Sequence, residues 1–266
     1  MRVALPFSLA LCTLGLLGLQ TPPCPPGEWT RWVPNEAFGF GERLEFDVKY
    51  RFITAGTAFF QIAPQPLYRH GRPCYDIRFE VRSVPALDWL YRVRDTYRTV
   101  VDVAGLFPYE FEQRLREGNY RRDFTARLDH AACRAYTSDG DFPIPRHVHD
   151  IVSAFYYVRT LNLSAMPRDT VIRLQNFYGT KTYDLGVRIH GKQIVTVAAG
   201  TFRCVVVEPL VVEGGLFKSE GRILIWLSDD ERKIPVKVAT KVLIGTIDAE
   251  LTGYSGLRGP LLAKLR

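Results

Sequence analysis

The sequence predicts a mainly β fold, a large curved antiparallel sheet with one main α-helix covering its concave side. Three observations predict it. Apolar and charged residues alternate along several segments, turn residues separate these segments in series, and a single stretch after residue 149 keeps helical spacing instead. About a dozen strands in series imply a meander, and a sheet that large must curl, close or be covered. With 266 residues, 47% apolar and 12% aromatic, the chain carries enough core-forming side chains for such a domain, which speaks against disorder.

The first segment, residues 1–20, has one basic residue followed by an apolar run from Val3 to Leu19 and fits a secretory signal peptide. The alternative is a retained N-terminal anchor, because about 17 apolar residues reach the lower limit for spanning a bilayer. Residues 21–37 form a Pro-rich linker and N-terminal segment that opens with Thr21-Pro22-Pro23-Cys24-Pro25-Pro26. A lipidation signal places a small residue directly before its cysteine. Cys12 follows Leu11 and Cys24 follows Pro23, so neither fits well. The expected destination is the periplasm or the inner face of the outer membrane.

Alternation begins at Glu42. Leu44, Phe46, Val48, Tyr50 and Phe52 take one face while Glu45, Asp47, Lys49 and Arg51 take the other, the period-2 mark of a half-buried strand. It recurs in Tyr120-Phe124-Leu128, Tyr183-Leu185-Val187-Ile189 and Ile234-Val236-Val238; such one-sided strands belong to an antiparallel sheet. Further β-rich runs lie at 57–62, 75–84, 93–103, 109–116, 171–178, 202–212, 217–227 and 243–252. Glu117-Gly118-Asn119, His190-Gly191-Lys192 and Ser228-Asp229-Asp230-Glu231 read as hairpin turns.

One helix is expected at 149–162, where Ile151, Val152, Phe155, Val158 and Leu161 recur at helical spacing between Pro145 and Pro167. Asp150 or His149 lies at its N-cap, where an acidic side chain satisfies free backbone N–H groups. No linker composition divides the strands, so residues 38–256 read as a single domain followed by a C-terminal tail, 257–266.

The cysteines beyond the signal, Cys24, Cys74, Cys133 and Cys204, form no C-x-x-C pair, which argues against a zinc or thioredoxin-type site. In an oxidising compartment Cys74 could pair with Cys133, although spacing does not fix connectivity. Cys204 reads as a buried strand thiol. The net charge of +7 is interleaved with acids along the strands, a solvated sheet face rather than a phosphate-binding stripe, so nucleic acid is not an expected partner. Weak attraction to anionic lipid or polysaccharide remains open, and with the former peripheral membrane association.

No segment carries a recognisable catalytic centre, metal site or cofactor motif. His147-Val148-His149 with Asp150 has the form of a metal pair, but no third ligand is evident, and the alternative is a helix entry with solvent-exposed histidines. Gly186 to Lys192 has phosphate-loop spacing, but Gln193 follows the lysine and the segment lies across a strand. Asp229-Asp230-Glu231 lacks the further oxygen ligands of a calcium loop and reads as a solvated turn, with Asp230 orienting it. Phe155, Tyr156, Tyr157 and Trp226 are either plain core or the lining of an apolar pocket between helix and sheet.

Three motifs in order, Asp150-Ile151-Val152-Ser153-Ala154-Phe155-Tyr156-Tyr157-Val158-Arg159, Ala199-Gly200-Thr201-Phe202-Arg203-Cys204 and Ile225 to Val236 with Asp230 and Pro235, resemble the DUF3108 family of exported bacterial proteins. The resemblance covers about 38–255 and makes Asp150, Ser153, Arg159, Asp230 and Pro235 structural motif positions. It implies a half-barrel, or incomplete β-barrel, similar to lipoprotein carriers of the LolA, LolB and LppX type, and it carries over no catalytic residues. The expected function is therefore non-catalytic binding or carriage of a lipid or other amphipathic small molecule in the cell envelope. The alternatives are an interaction module with a filled core that binds an envelope protein, and an enzyme acting on envelope lipid or glycan.

Overall fold

The computed structural model describes residue 24 and residues 27–210, 222–241 and 246–266. The signal segment 1–20 lies outside the described residues, as do Phe217 and Leu243 at the starts of two predicted strands.

The described residues form β1 (Arg43–Tyr50), β2 (Ile53–Ile62), β3 (Leu67–Arg69), β4 (Arg72–Ser83), β5 (Arg94–Asp102), β6 (Pro108–Glu117), β7 (Tyr120–Asp129), β8 (Arg134–Thr137) and β9 (Gly140–Pro143). After α1 (Ile151–Arg159) come β10 (Val171–Tyr178), β11 (Lys181–Val197), β12 (Gly200–Leu210), β13 (Ile223–Ser228), β14 (Pro235–Lys241) and β15 (Thr246–Ser255). They make one antiparallel sheet in the order β10-β11-β12-β13-β14-β15-β1-β2-β4-β5-β6-β7-β8-β9, with β3 paired to β4. The fold is thus mainly β, with two meanders joined where β1 pairs with β15 and with α1 connecting the two outer strands, β9 and β10.

The sheet curls until those outer strands approach each other, but among the described residues no ladder closes it into a barrel. The approach of helix to sheet fills part of the gap: His149 pairs its N–H with the Gln175 carbonyl at 2.9 Å and accepts from the Phe177 N–H at 2.7 Å. The Tyr178 hydroxyl donates to Gln113 across the same seam at 3.3 Å. These contacts satisfy part of an edge that would otherwise offer free backbone groups to another chain.

Four expectations are corrected. The helix is shorter than 149–162, because Thr160 caps it and a 3-10 turn at Leu163–Ala165 follows. Tyr50 and Phe52 do not continue the buried face of Leu44 and Phe46: β1 shifts register against β2 after Val48, and Phe52 stands in the turn at 99% exposure. His190-Gly191-Lys192 is not a hairpin turn but a β-bulge within the 17-residue β11, where Gly191 at φ 99° lets the strand kink and continue. Cys133 is bonded to Cys24, not to Cys74. Cys74 is buried beside Val100, Phe107 and Tyr109, and Cys204 is buried in β12; burial pushes both thiols up to about 12. The disulfide also occupies the Cys24 sulfur that a lipid anchor would need.

Both terminal segments pack on the sheet. Val33 N–H donates to the Ala104 carbonyl at 2.8 Å, and Trp29 sets its edge against Phe107 and Tyr109. At the other end, Arg203 N–H donates to the carbonyl of Ala263, which is fully buried.

Candidate functional site: an apolar cavity beneath the helix

The helix is fixed to the sheet at both ends by buried polar groups. At the N-terminus, the Asp150 carboxylate accepts from the Val152 and Ser153 N–H groups at 2.8 and 2.9 Å and from the Thr99 hydroxyl of β5 at 2.6 Å. Ser153 returns the contact, its hydroxyl accepting from the Asp150 N–H at 3.0 Å, which completes a capping box. Burial raises the Asp150 carboxyl above the usual carboxylate range, against the hydrogen bonds that favour its charged form. Replacing Asp150 with Ala strands Thr99 and two helix N–H groups in the interior. The expected cost is about 2 kcal/mol, read as a lower urea midpoint that Asp150→Asn largely restores; an unchanged midpoint would refute the assignment.

At the C-terminus, the Arg159 guanidinium donates two 2.7 Å bonds to the Glu42 carboxylate and a 3.1 Å bond to the Arg232 carbonyl. Both members of the pair are fully buried. Burial alone would lower the guanidinium's proton affinity, but Glu42 beside it holds it above its ordinary value.

With its ends fixed, α1 lies over the concave face and leaves a cavity of about 400 Å³ between helix and sheet. Ile151, Phe155 and Val158 face it from the helix. Phe60 of β2 forms its centre, stacked on Phe79 at 4.2 Å between ring centroids and on Phe155 at 5.2 Å. Val48 and Val81 line one flank, Leu185, Val187, Val207 and Ile225 the other, and Val238, Ile247 and Ala249 the wall between them. Among its lining residues only Thr240 and Tyr97 carry a side-chain hydroxyl, and burial pushes the Tyr97 phenol well up. A cavity of this size and lining falls in the range of small-molecule sites and has little to hold water.

The four aromatic candidates are not brought together. Phe155 lines the cavity. Tyr156 is buried on another side of the helix against Phe38, 4.8 Å between centroids, and Tyr157 packs on His149 and under Arg31. Trp226 alternates with the inward Ile225 and Leu227, so its indole lies on the opposite sheet face and donates to Gln193 at 2.8 Å. The cavity residues missed in the sequence, such as Phe60, Phe79 and Val207, sit on predicted strands. Their shared face could be read from alternation, but nothing in the sequence says which apolar faces meet the helix.

The histidines are also corrected, from solvent-exposed to buried for His149 and half-buried for His147. His149 is 2% exposed, accepts from Arg31 at 3.4 Å and faces the Ser153 hydroxyl at 3.3 Å. His130 contacts the Pro108 carbonyl at 2.7 Å and accepts from the His147 N–H at 3.0 Å, while His147 contacts the Trp29 carbonyl at 2.8 Å. Their ring nitrogens are engaged by backbone and side chains in a clasp over the N-terminal segment, and burial lowers all three. Among the described residues no group of three or more His, Cys, Asp and Glu is placed to hold a metal ion. Asp230 organises its turn, accepting from Ser228, Arg232 N–H and Lys233 N–H, and ties in the tail through Ala263 N–H at 2.8 Å. Asp229 pairs instead with Lys192, and Glu231 with Arg232. Pro235 starts β14 opposite Leu227 at a register shift, where a residue without an N–H is tolerated.

Among the described residues no helix is long and apolar enough to cross a membrane. No curated protein matches the chain in sequence. Among solved structures, a β-barrel-like protein with a domain of unknown function, DUF1849, from Brucella abortus is similar, with a TM-score of 0.51 at 10% identity, covering 81% of this chain and 97% of that one. The hypothetical protein CT021 from Chlamydia trachomatis reaches a TM-score of 0.38 at 9% identity, covering 86% and 92%. At such identity the first likeness speaks for the fold, an open barrel-like sheet, and for nothing further. A family model described as a protein of unknown function, DUF3108, matches residues 45–252, which contain the helix, its capping box and almost every strand that lines the cavity, so the chain belongs to the DUF3108 family.

Proposed function

We propose that the protein is a non-catalytic binding or carrier protein of the cell envelope that holds an acyl chain or a similar amphipathic molecule in the cavity beneath α1. The observation that carries this reading is the cavity itself, about 400 Å³ lined almost wholly by carbon between a helix and a sheet whose polar anchors keep them apart. Each methylene that leaves water for such a space contributes about 0.8 kcal/mol. The alternative of an interaction module with a filled core fits this cavity less well, and an enzyme would need a polar cluster in the lining, where Thr240 and Tyr97 supply hydroxyls alone. The signal-like N-terminus and the Cys24–Cys133 disulfide support an oxidising, exported location, the periplasm or the inner face of the outer membrane.

Native mass spectrometry of protein recovered from its own envelope tests the reading. A stoichiometric lipid is expected. Ala249→Phe, which fills the cavity from β15, is expected to lower uptake of the fluorescent fatty acid cis-parinaric acid about tenfold with little change in melting temperature. A ligand-free mass together with no uptake by the unaltered protein would overturn the carrier reading.

A further inference from the structure

The connections at one end of the sheet carry apolar side chains that the fold leaves uncovered. Phe52 in the β1–β2 turn and Ile53 at the start of β2 are 99% and 62% exposed, and Trp89 and Leu90 in the β4–β5 connection are 81% and 68% exposed. These connections are neighbours, because β2 pairs with β4 and the Val84 N–H donates to the Ala55 carbonyl across them. Ile247, at the start of β15 and opposite Tyr50, is 40% exposed and also lines the cavity, so the apolar rim runs into the cavity. Single exposed apolar residues are ordinary, whereas a contiguous patch of this kind marks a binding surface.

Basic side chains stand around the patch. Arg51, Arg121 and Lys241 are exposed at the same end of the sheet and, among the described residues, have no acidic partner within ion-pair distance. Arg92 is two-thirds exposed and 3.8 Å from Asp88, whose carboxylate bonds more closely to Arg94. Aromatic and aliphatic tips ringed by unpaired arginine and lysine are complementary to a bilayer surface that offers hydrocarbon beneath phosphate. A protein partner would have to match the same mixture residue by residue; an anionic membrane supplies it everywhere.

We infer that this rim is a membrane-contact surface: Phe52, Ile53, Trp89 and Leu90 enter the interfacial layer of an anionic bilayer, and Arg51, Arg121 and Lys241 lie against its phosphates. The orientation sets the Ile247 side of the cavity toward the lipid. The inference extends the carrier reading to the source of its ligand, and the two can fail separately.

The test uses the protein as recovered from cells, mixed with vesicles of phosphatidylglycerol and phosphatidylethanolamine whose acyl chains carry bromine, with tryptophan fluorescence as the readout. The expected result is quenching that Trp89→Phe removes, together with about tenfold weaker partition for Phe52→Ser/Ile53→Ser/Leu90→Ser and for Arg51→Glu/Arg121→Glu, and weaker binding to phosphatidylcholine vesicles. Quenching that survives Trp89→Phe, or partition that neither multiple variant changes, overturns the rim, since contact is then made elsewhere, as through the apolar N-terminal segment. Cis-parinaric acid uptake on the same samples separates the two readings. Uptake without rim-dependent vesicle binding removes this inference alone, and rim-dependent binding without uptake removes the carrier reading alone.

Discussion

Glu42→Ala is expected to lower stability by about 3–5 kcal/mol, because it leaves the Arg159 guanidinium charged in an interior from which both partners are fully excluded from water. The arginine has nowhere else to discharge its positive charge. Its remaining contacts are to the carbonyls of Arg232 and Ala37 and to the ring faces of Phe38 and Tyr156, none of which carries a net charge. For a domain of this size the loss corresponds to a fall in melting temperature on the order of 10 °C. The paired replacement Glu42→Leu/Arg159→Met is expected to recover most of it, since two apolar side chains of similar length need no partner, and a buried ion pair is often no more stable than its apolar substitute. Thermal and urea melting of the three variants decides the matter. If Glu42→Ala costs under about 1 kcal/mol, or the paired variant is no better than the single one, the pair is not the anchor of the helix C-terminus.

Acidification from pH 6.5 to 4 is expected to cost about 3 kcal/mol through His130 alone. Burial lowers this histidine to about 4, while in the unfolded chain it titrates near 6.5. Between those values the unfolded state binds more protons than the folded one, so stability rises with pH across the window and is lost as pH falls through it. His149, fully enclosed and pushed well down by burial, adds a contribution of the same sign. Two depressed carboxylates act lower on the scale: Asp102, held down by Arg72 against its own burial, and Glu110, held down by Arg69, lose their contributions below about pH 4. Asp150, raised by burial, changes with the opposite sign. Comparison with His130→Gln isolates the histidine, because the amide can still face the Pro108 carbonyl and the His147 N–H but does not titrate. Across this range the urea midpoint of the unaltered protein should fall more steeply with acidification than that of His130→Gln. Parallel curves would show that His130 is not neutral in the fold.

These two effects come from residues that the sequence presents very differently. Arg159 belongs to a recognisable motif, yet Glu42 stands 117 positions away in an unremarkable run before β1, and nothing in the spacing joins them. The histidines occur as a plain pair before a helix; their burial follows from the N-terminal segment crossing them, with Trp29 and Arg31 supplying partners.

By itself the sequence determined the mainly β class, most of the strands, the Asp150 cap and the family, because each rests on short-range regularities: alternation with period 2, helical spacing, a carboxylate two and three residues before free N–H groups, and local motifs in order. The tertiary structure alone decided which apolar faces became the cavity and which became solid core. Phe60 and Phe79 sit on predicted strands and Tyr156 on the predicted helix, but Phe60 and Phe79 line the open space under α1 while Tyr156 is packed edge-on against Phe38 away from it. The difference is set by the curl of the sheet and by the height at which two buried polar anchors hold the helix, and both depend on contacts between residues far apart in the chain.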